Sequence, residues 1–491
     1  AAATGPRFFW RFPMILGSLI STTADLMVGF LAMLVLVLSP LGDRREKPHL
    51  AYLSIAGLII AFLWLLTLGW GAEGEAFNRM FVLDDYAVFF KLALLLTSIF
   101  VIVMSLEYVK RFPGRDGEYY ALVLFATQGA MLLTSAGNFL SLFLSLELMS
   151  LSFYVLASFQ RNQSRSVEAG MKYLVMGGLS TGILLYGISF LYGMTGSTDF
   201  TAIGQWIGQR GKVDPVILVA ALLIIIGLGF KIASVPFHAW APDVYEGSPT
   251  PVTAFLSVGS KMAAFAAMVR VLIHVFTPLK PQWVFLITLI AAATLLYGNL
   301  AAIPQSNIKR LLGYSTIGQA GYLLVGLAAA NTLGIGAILF YLLAYLFSNL
   351  AVFLVVIVFS NVTQSDAIDD YAGLSRRSPL LAATMTLGLL SLAGVPPLAG
   401  FFGKFVLLGA AVKEGLLWLA YVGAVCIVIS LYYYLCIIKR IYLWEAKDDR
   451  PLPLSPAMRV VLYVCLLGIL IVGIYPSPFI DVAVAASKRL F

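Results

Sequence analysis

Apolar segments of about the length of a membrane-spanning helix follow one another along almost the whole chain. A spanning helix needs about 20 predominantly apolar residues. Fourteen segments meet this requirement, near 13–38, 50–70, 86–109, 118–136, 138–159, 167–193, 215–235, 250–276, 282–303, 308–329, 333–360, 379–405, 415–438 and 458–480. The pattern predicts an all-α polytopic membrane protein with about 14 transmembrane helices.

Two of these segments contain helix breakers. Pro236 closely follows the apolar run of segment 7, and Pro396 and Pro397 lie within segment 12. Proline removes a backbone donor and clashes with the preceding turn. We therefore predict that helices 7 and 12 are broken inside the membrane, with Ser248 as N-cap and Pro249 as first residue of helix 8.

The two broken segments are five helices apart. Because five is odd, two successive five-helix units enter the membrane from opposite sides, and paired interrupted helices are typical of such inverted repeats. The expected division is three N-terminal helices, a first repeat of helices 4–8, an inverted second repeat of helices 9–13, and a C-terminal helix 14, with bounds at 1–112, 113–277, 278–445 and 446–491.

Composition and charge support the membrane assignment. The 491 residues are 60% hydrophobic and 11% charged, with a mean hydropathy of +0.93, whereas soluble domains carry about 25% charged residues. The net charge of +8 does not indicate nucleic-acid binding, because Lys and Arg gather in short loops that set topology. The loops after odd-numbered helices hold most of them, at 44–47, 110–115, 161–165, 309–310, 376–377 and 439–459. These loops are expected in the cytoplasm, and both termini on the periplasmic side.

Cofactor chemistry has little support in this sequence. The three cysteines and three histidines are scattered without metal-ligand spacing, and no stretch is long enough for a nucleotide-binding or iron–sulfur domain. We predict no metal and no bound cofactor in this chain. The first apolar segment is expected to be a retained span rather than a cleaved signal peptide.

Five charged residues fall inside the predicted spans where their burial is costly: Glu147, Lys172, Lys231, Lys261 and Lys404. A lysine at the membrane centre costs about 2.5–3.5 kcal/mol, and such residues usually mark an ion pathway.

Glu147 and Lys172 lie on consecutive helices, roughly 9 Å apart in depth, so we expect them to form an ion pair. The alternative is that this pair only holds two helices together. Lys231, Lys261 and Lys404 have no carboxylate at helical spacing, and are predicted to load and release protons. Alternatively, these lysines snorkel to the interface, or Lys231 and Lys404 cap broken half-helices.

Other charged residues have simpler interpretations. His238 lies in the first break with Asp243 and Glu246 and is a candidate proton relay, or else an ordinary hydrogen-bonding residue. Asp84 and Asp85 are expected at the surface. Residues near span ends or without a motif are expected to be anchors: Asp25, Lys91, Glu107 and Arg270.

Several motifs resemble the antiporter-like membrane subunits of respiratory complex I, the proton-pumping NADH:quinone oxidoreductase. The longest runs Phe-Lys-Ile-Ala-Ser-Val-Pro-Phe-His-Ala-Trp-Ala-Pro-Asp-Val-Tyr-Glu-Gly from Phe230, and its Asp-Val-Tyr-Glu-Gly portion is most similar to the bacterial N subunits. Further matches begin at Ser145 (Ser-Leu-Glu-Leu-Met-Ser), Glu168 (Glu-Ala-Gly-Met-Lys-Tyr), Asn307 (Asn-Ile-Lys-Arg-Leu-Leu-Gly-Tyr-Ser) and Gly394 (Gly-Val-Pro-Pro-Leu-Ala-Gly-Phe-Phe-Gly-Lys).

The resemblance implies a fold with inverted five-helix repeats and a polar axis at mid-membrane. It implies proton-handling roles for the five buried charged residues. It also implies that NADH, FMN, iron–sulfur clusters and quinone are handled by other subunits, and that the partners are neighbouring membrane subunits and lipids. One residue departs from the pattern, because family members often have histidine at the position of Gln319. Glutamine can hold water but cannot take a proton, so the link at this point is expected to depend on water.

Two other functions remain open from sequence alone. The same lysines and breaks occur in subunits of multisubunit cation/proton antiporters and membrane-bound hydrogenases, which the resemblance places in the same superfamily. A passive spacer subunit within a membrane complex is the third possibility, and it predicts that the buried lysines are dispensable.

Overall fold

A computed structural model describes residues 11–41, 47–210, 213–446 and 450–491, with side chains from residue 22 onward. Parts of two predicted basic loops, at 42–46 and 447–449, lie outside the described residues. The long helices of the first half are α1 (Arg11–Leu38), α2 (Pro48–Trp64), α3 (Asp85–Ser105), α4 (Asp116–Thr134), α5 (Phe139–Ala157) and α6 (Ser164–Thr195).

The remaining helices follow in chain order. They are α7 (Phe200–Gln209), α8 (Pro215–Lys231), α9 (Trp240–Gly247), α10 (Thr250–Phe255), α11 (Lys261–His274), α12 (Lys280–Ala302), α13 (Ile308–Ala329), α14 (Thr332–Thr363), α15 (Leu374–Arg377), α16 (Pro379–Ala393), α17 (Ala399–Lys413), α18 (Leu417–Leu443), α19 (Pro456–Ile474) and α20 (Ser477–Lys488). Within the described ranges, ten helical stretches are long and apolar enough to cross a membrane.

The other predicted spans are shorter or more polar helices. The apolar part of α1, α8 and α16 are the shorter ones, and α4 accounts for the fourth with 19 residues that begin with Asp116 and Glu118. Each of the fourteen predicted segments therefore coincides with a described helix, and the all-α membrane fold is confirmed.

Both predicted breaks are present. Helix α8 ends at Lys231 and α9 begins only at Trp240, with Pro236 in the connecting turn. Helix α16 ends at Ala393, where Gly394 adopts a left-handed conformation (φ 89°), the usual role of glycine after a helix C-terminus. The Val235–Pro236 and Pro396–Pro397 peptide bonds are cis.

The predicted N-cap of helix 8 is wrong by one residue. Ser248 is the C-terminal cap of α9 rather than an N-cap, and its hydroxyl has no described hydrogen-bond partner. Helix α10 starts at Thr250 with Pro249 in the capping position. Proline fixes the φ angle at this position, and no side-chain cap hydrogen bond is found there.

The centre of the bundle is formed by the helix that carries Lys261. It runs from α10 through a π-helical turn at Leu256–Ser260 into α11, and nearly every residue of it is buried. Helices α13 and α14 are buried to a similar degree, whereas α2, α6, α18 and α19 expose much of their apolar surface. Single π-turns inside α-helices are frequent at functional sites.

Several described elements have no counterpart among the predicted spans, including the short helices α9 and α15. A short antiparallel hairpin pairs Gly74–Ala76 with Phe81–Leu83. Helix α7 covers the connection between α6 and α8, and α20 packs against α14. The hairpin and α20 lie at one end of the bundle, called here the terminal end. The end that carries the loops after α1, α3, α5, α12, α14 and α18 is called the basic end.

Candidate functional site

Lys231, the last residue of α8, points into the bundle and contacts α5. Its side chain is 2% exposed, and its Nζ donates to the hydroxyl of Ser150 at 2.7 Å and of Tyr154 at 3.1 Å. The ammonium also lies 5.2 Å from the Tyr154 ring centroid and 5.6 Å from that of Tyr173. Hydroxyls and aromatic faces solvate a cation without neutralising it.

Glu147 lies one turn from Ser150 on the same face of α5. Its carboxylate accepts a hydrogen bond from the Thr181 hydroxyl of α6 at 2.9 Å, and it interacts electrostatically with Lys231. The predicted Glu147–Lys172 ion pair is not formed. Lys172 instead binds Asp243 and Glu168, each at 2.8 Å. Glu147 and Lys172 lie on consecutive helices, but the rotation of α6 about its axis directs Lys172 towards α9, which spacing along the chain does not encode.

Lys172 belongs to a charged network at the basic end. Asp243 of α9 accepts from Lys172 through one oxygen and from Arg310 Nη1 through the other at 2.7 Å. Arg310 also contacts Glu246 at 3.1 Å. These residues line an open cleft of about 190 Å³, and the Lys172 side chain is 42% exposed. The network therefore joins α6, α9 and α13 where the bundle meets solvent.

Lys261 lies directly after the π-turn and is 1% exposed. Its Nζ donates to the backbone carbonyl of Thr316 in α13 at 2.6 Å. The Thr316 hydroxyl accepts from Tyr345 of α14 at 3.2 Å. Lys261 is thus held by a carbonyl dipole rather than by a carboxylate, which leaves its charge free to respond to its surroundings.

Gln319 follows Thr316 by one turn of α13 and is bonded on both sides of its amide. Its Nε2 donates to the carbonyl of Leu392 at 3.0 Å, and its Oε1 accepts from the Tyr341 hydroxyl. Lys404 of α17 donates to the same Leu392 carbonyl at 2.7 Å. Gln319 and Lys404 therefore share one acceptor, at the C-terminal end of α16.

Lys404 also donates to the carbonyl of Ala393 at 3.1 Å. Its ammonium caps the C-terminus of α16, which confirms the capping interpretation for this residue, since a cation suits a helix C-terminus. The Tyr322 ring lies 4.4 Å from Lys404 Nζ. Lys231 makes no such cap, because Trp240 donates to the Phe230 carbonyl there instead.

The three lysines share one property. Within the ranges that the structure covers, Lys231, Lys261 and Lys404 have no ion-pair partner, and all three are at most 2% exposed. They do not snorkel. An isolated buried ammonium is costly.

His238 is not brought together with the acids of the first break. Its ring lies 4.3 Å from that of Tyr297 in α12, and no hydrogen-bond partner of its Nδ1 is found among the described residues. Asp243 and Glu246 bind Arg310 instead. The relay role of His238 stays a prediction.

Two buried ion pairs were missed in the sequence. Lys91 and Asp25, expected to be anchors near span ends, bind each other at 2.6 Å with side chains 0% and 1% exposed. Asp84, expected at the surface, caps α3 and forms a two-pronged pair with Arg270 at 2.8 and 2.9 Å. Burial raises the pKa of Asp84, but the Arg270 charge outweighs burial and holds that pKa below its ordinary value. Opposite charges in separate spans were the available signal.

No group of three or more histidine, cysteine or acidic side chains that could hold a metal is found among the described residues. The arrangement consists of buried lysines, hydroxyls, an amide and freed carbonyls. Such groups can bind, hold and pass protons, but they supply no redox chemistry.

Known proteins resemble this chain over nearly its full length. The family described as "NADH:quinone oxidoreductase/Mrp antiporter, TM" matches residues 136–430. The NADH-quinone oxidoreductase subunit N of Moorella thermoacetica is 44% identical over 470 residues, covering 96% of this chain and 97% of that protein.

Two solved structures share the fold. A chain of respiratory complex I from Thermus thermophilus is 32% identical, with a TM-score of 0.80 over 94% of this chain and 99% of that one. A chain of an archaeal membrane-bound sulfane sulfur reductase is 26% identical, with a TM-score of 0.84 over 97% of each. The full-length identity to subunit N exceeds that to the reductase chain. This chain therefore belongs to the NADH-quinone oxidoreductase subunit N family, the antiporter-like membrane subunits of complex I.

Proposed function

We propose that this chain translocates protons through Lys231, Lys261 and Lys404, driven by charge changes at Glu147. The three lysines would take and release protons in turn, while quinone reduction elsewhere in the complex supplies the energy. The observation that carries the proposal is that α13 binds Lys261 through the Thr316 carbonyl and, one turn later, carries Gln319, which shares the Leu392 carbonyl with Lys404.

The first step begins at Glu147. Its negative charge acts on Lys231, and both residues lie along the face of α5 that carries Ser150. A change in charge next to Glu147 would alter the proton affinity of Lys231, which would pass its proton through water to Lys261. Two pKa units correspond to about 2.7 kcal/mol, and moving one charge against 100 mV costs about 2.3 kcal/mol. Modest changes in proton affinity are therefore sufficient.

Lys172 has a different place in this scheme from the one expected from sequence. Because it is bound to Asp243 in an open cleft, we place it at the mouth of the path rather than next to Glu147. Protons would approach Lys231 from this cleft. His238, in the first break, would be a relay or part of the water network on this route.

The second half of the path depends on Gln319. Its amide cannot change its protonation state, so a proton would pass along hydrogen bonds that include water between Lys261 and Lys404. Release would follow from Lys404, near the second break at Pro396 and Pro397.

Cofactors and partners follow from the family. The complex-level cofactors NADH, FMN, iron–sulfur clusters and quinone would be bound by other subunits. We place the chain among membrane-arm subunits of the same complex, in contact with a neighbouring antiporter-like subunit, small subunits and lipids. The two repeats would comprise helices within 113–277 and 278–445, flanked by 1–112 and 446–491.

We also propose a membrane and an orientation. The chain would lie in the bacterial cytoplasmic membrane with the basic end in the cytoplasm and both termini on the periplasmic side, following the distribution of Lys and Arg. A membrane-impermeant thiol reagent should then label a cysteine at Ser477 from the periplasm and one at Asn162 only after permeabilisation. The reverse pattern would invert the orientation.

The proposed function is tested by Lys231→Ala in the assembled complex, reconstituted in liposomes. We expect quinone reduction to become slow and uncoupled from pumping, with assembly intact. Lys413→Ala, an exposed lysine on α17, is the matched control and should pump normally. Full pumping in the Lys231→Ala complex would refute the proposal and favour a passive spacer.

A further inference from the structure

The short helix α9 is held from two sides by the two basic residues near the start of α13. Arg310 contacts both acids of α9, Asp243 at 2.7 Å and Glu246 at 3.1 Å. Its neighbour Lys309, which is 4% exposed, donates to the carbonyl of Ser248 at 2.8 Å. That carbonyl belongs to the residue that ends α9. The first turn of α13 therefore binds both the acidic side chains of α9 and its C-terminal end.

The backbones of α9 and α13 also lie in close contact. A Cβ atom at Gly313 would lie 3.1 Å from Cα of Pro242, so glycine allows α13 to pack directly on α9. Gly313 is one turn from Arg310. The ion pairs and the close approach thus fix α9 along the first turns of α13.

The same helix reaches both later sites of the proposed path. Lys261 binds the Thr316 carbonyl, and Gln319 shares the Leu392 carbonyl with Lys404. Arg310 and Gln319 are nine residues apart, which is roughly 13.5 Å along the axis. One helix therefore links the short half of the first broken helix to the second break.

We propose that Arg310 is a positioning residue for proton transfer, which holds α9 against α13 so that the lysines of the two repeats stay coupled. This inference rests on the proposed function. Helix α9 connects the segments that end at Lys231 and lead to Lys261, so its position sets the spacing of those two lysines. Release of the Arg310 pairs would let α9 move without α13.

A purely structural ion pair would explain the same contacts, so a structural role and a positioning role must be distinguished by measurement. A structural role predicts less assembled complex but an unchanged number of protons pumped per electron pair in the complex that remains. A positioning role predicts that this ratio falls. A conservative variant and a charge-swapped variant of Arg310 add a second distinction. Each restores an ion pair with α9 without restoring the original arginine.

The test uses the assembled complex in liposomes and compares Arg310→Gln, Arg310→Lys and the charge swap Asp243→Arg/Arg310→Asp. We expect Arg310→Gln to lower the protons pumped per electron pair about twofold or more, and Arg310→Lys and the charge swap to recover part of the loss. Arg165→Gln is the matched control. Arg165 lines the same cleft but forms no ion pair with α9 in the described structure, and its loss should leave the ratio unchanged.

A normal ratio in the assembled Arg310→Gln complex overturns the inference. If Lys231→Ala also pumps normally, the proposed function fails with it. If Lys231→Ala abolishes pumping while Arg310→Gln does not change the ratio, only the role of Arg310 is refuted.

Discussion

Gln319 lies between Lys261 and Lys404 on the proposed path. Its amide donates to the carbonyl that also binds Lys404 and accepts from Tyr341. A side chain that bonds on both sides can relay a proton only together with water, since the amide itself does not titrate near neutral pH. Gln319 therefore has two roles: it positions the neighbouring polar groups, and it provides hydrogen bonds to them.

Replacing Gln319 should separate these two requirements. Gln319→Leu leaves the Tyr341 hydroxyl without this acceptor, at a cost of about 1–3 kcal/mol for an unsatisfied buried group, whereas the Leu392 carbonyl keeps its hydrogen bond from Lys404. We expect strongly reduced pumping in this variant. Gln319→His keeps a donor and an acceptor and should retain pumping. Proton uptake by reconstituted complex measures both, and equal pumping in the two variants would contradict a role in the path.

The Lys91–Asp25 pair is the deepest ion pair outside the proposed path. Removing one partner of a buried pair typically costs about 3–5 kcal/mol, because the other charge is left uncompensated, whereas an apolar replacement of both is often neutral. Asp25→Asn should thus reduce the amount of assembled complex, and Asp25→Leu/Lys91→Met should restore it.

Complex content after detergent extraction is the measurement for this pair. Because no contact links the pair to the three lysines in the described structure, the double variant should pump normally once assembled. A double variant that assembles fully but does not pump would instead place Lys91 and Asp25 in the proton path.

At the scale of elements, the second break depends on a close contact between its two half-helices. A Cβ atom at Gly400, in the first turn of α17, would lie 1.9 Å from the backbone oxygen of Ser391 in α16. Backbone cannot yield as a flexible side chain can, so any side chain here would push α16 and α17 apart. Lys404 would then lose its hydrogen bonds to the carbonyl groups at the C-terminus of α16.

Gly400→Ala should therefore lower both assembly and activity. Gly409→Ala on the same helix is the control, because a Cβ atom there meets nothing within 4 Å. Alanine also favours a helix over glycine by about 1 kcal/mol, so the control variant should be as stable as the parent or slightly more so. Thermal inactivation of quinone reduction compares the two, and equal behaviour would mean that the break tolerates separation.

At the scale of the whole molecule, one face of the bundle exposes charge at membrane depth. Glu147 is only partly buried, roughly 12 Å from the start of α5. Around it, large apolar residues of α5 and α6 are exposed, including Leu151 at 52% and Met171 at 54%. A carboxylate facing lipid would be expensive, so we expect this face to be covered by a neighbouring membrane subunit.

Thiol labelling tests this expectation. A cysteine at Met171 should be protected from a membrane-soluble maleimide in the intact complex and become reactive when detergent separates the subunit. Equal labelling in both states would show that lipid covers this face and that Glu147 is shielded in another way.

The amino-acid sequence alone was sufficient to predict the helical spans, the two breaks and the positions of the costly lysines. These features depend on local chemistry: the length of an apolar run, the missing donor of proline, and the cost of a charge within a span. The family resemblance drew on the same motifs.

Which charged side chains pair with each other became visible only in the packed helices. Lys172 binds Asp243, 71 residues away, rather than Glu147, and Asp84 binds Arg270 rather than facing solvent. Such pairings depend on the rotation of each helix about its axis and on which helices pack together, which hydropathy does not encode. The π-turn before Lys261 and the carbonyl shared by Gln319 and Lys404 likewise exist only once the helices are packed, because packing sets which backbone groups remain free to bind.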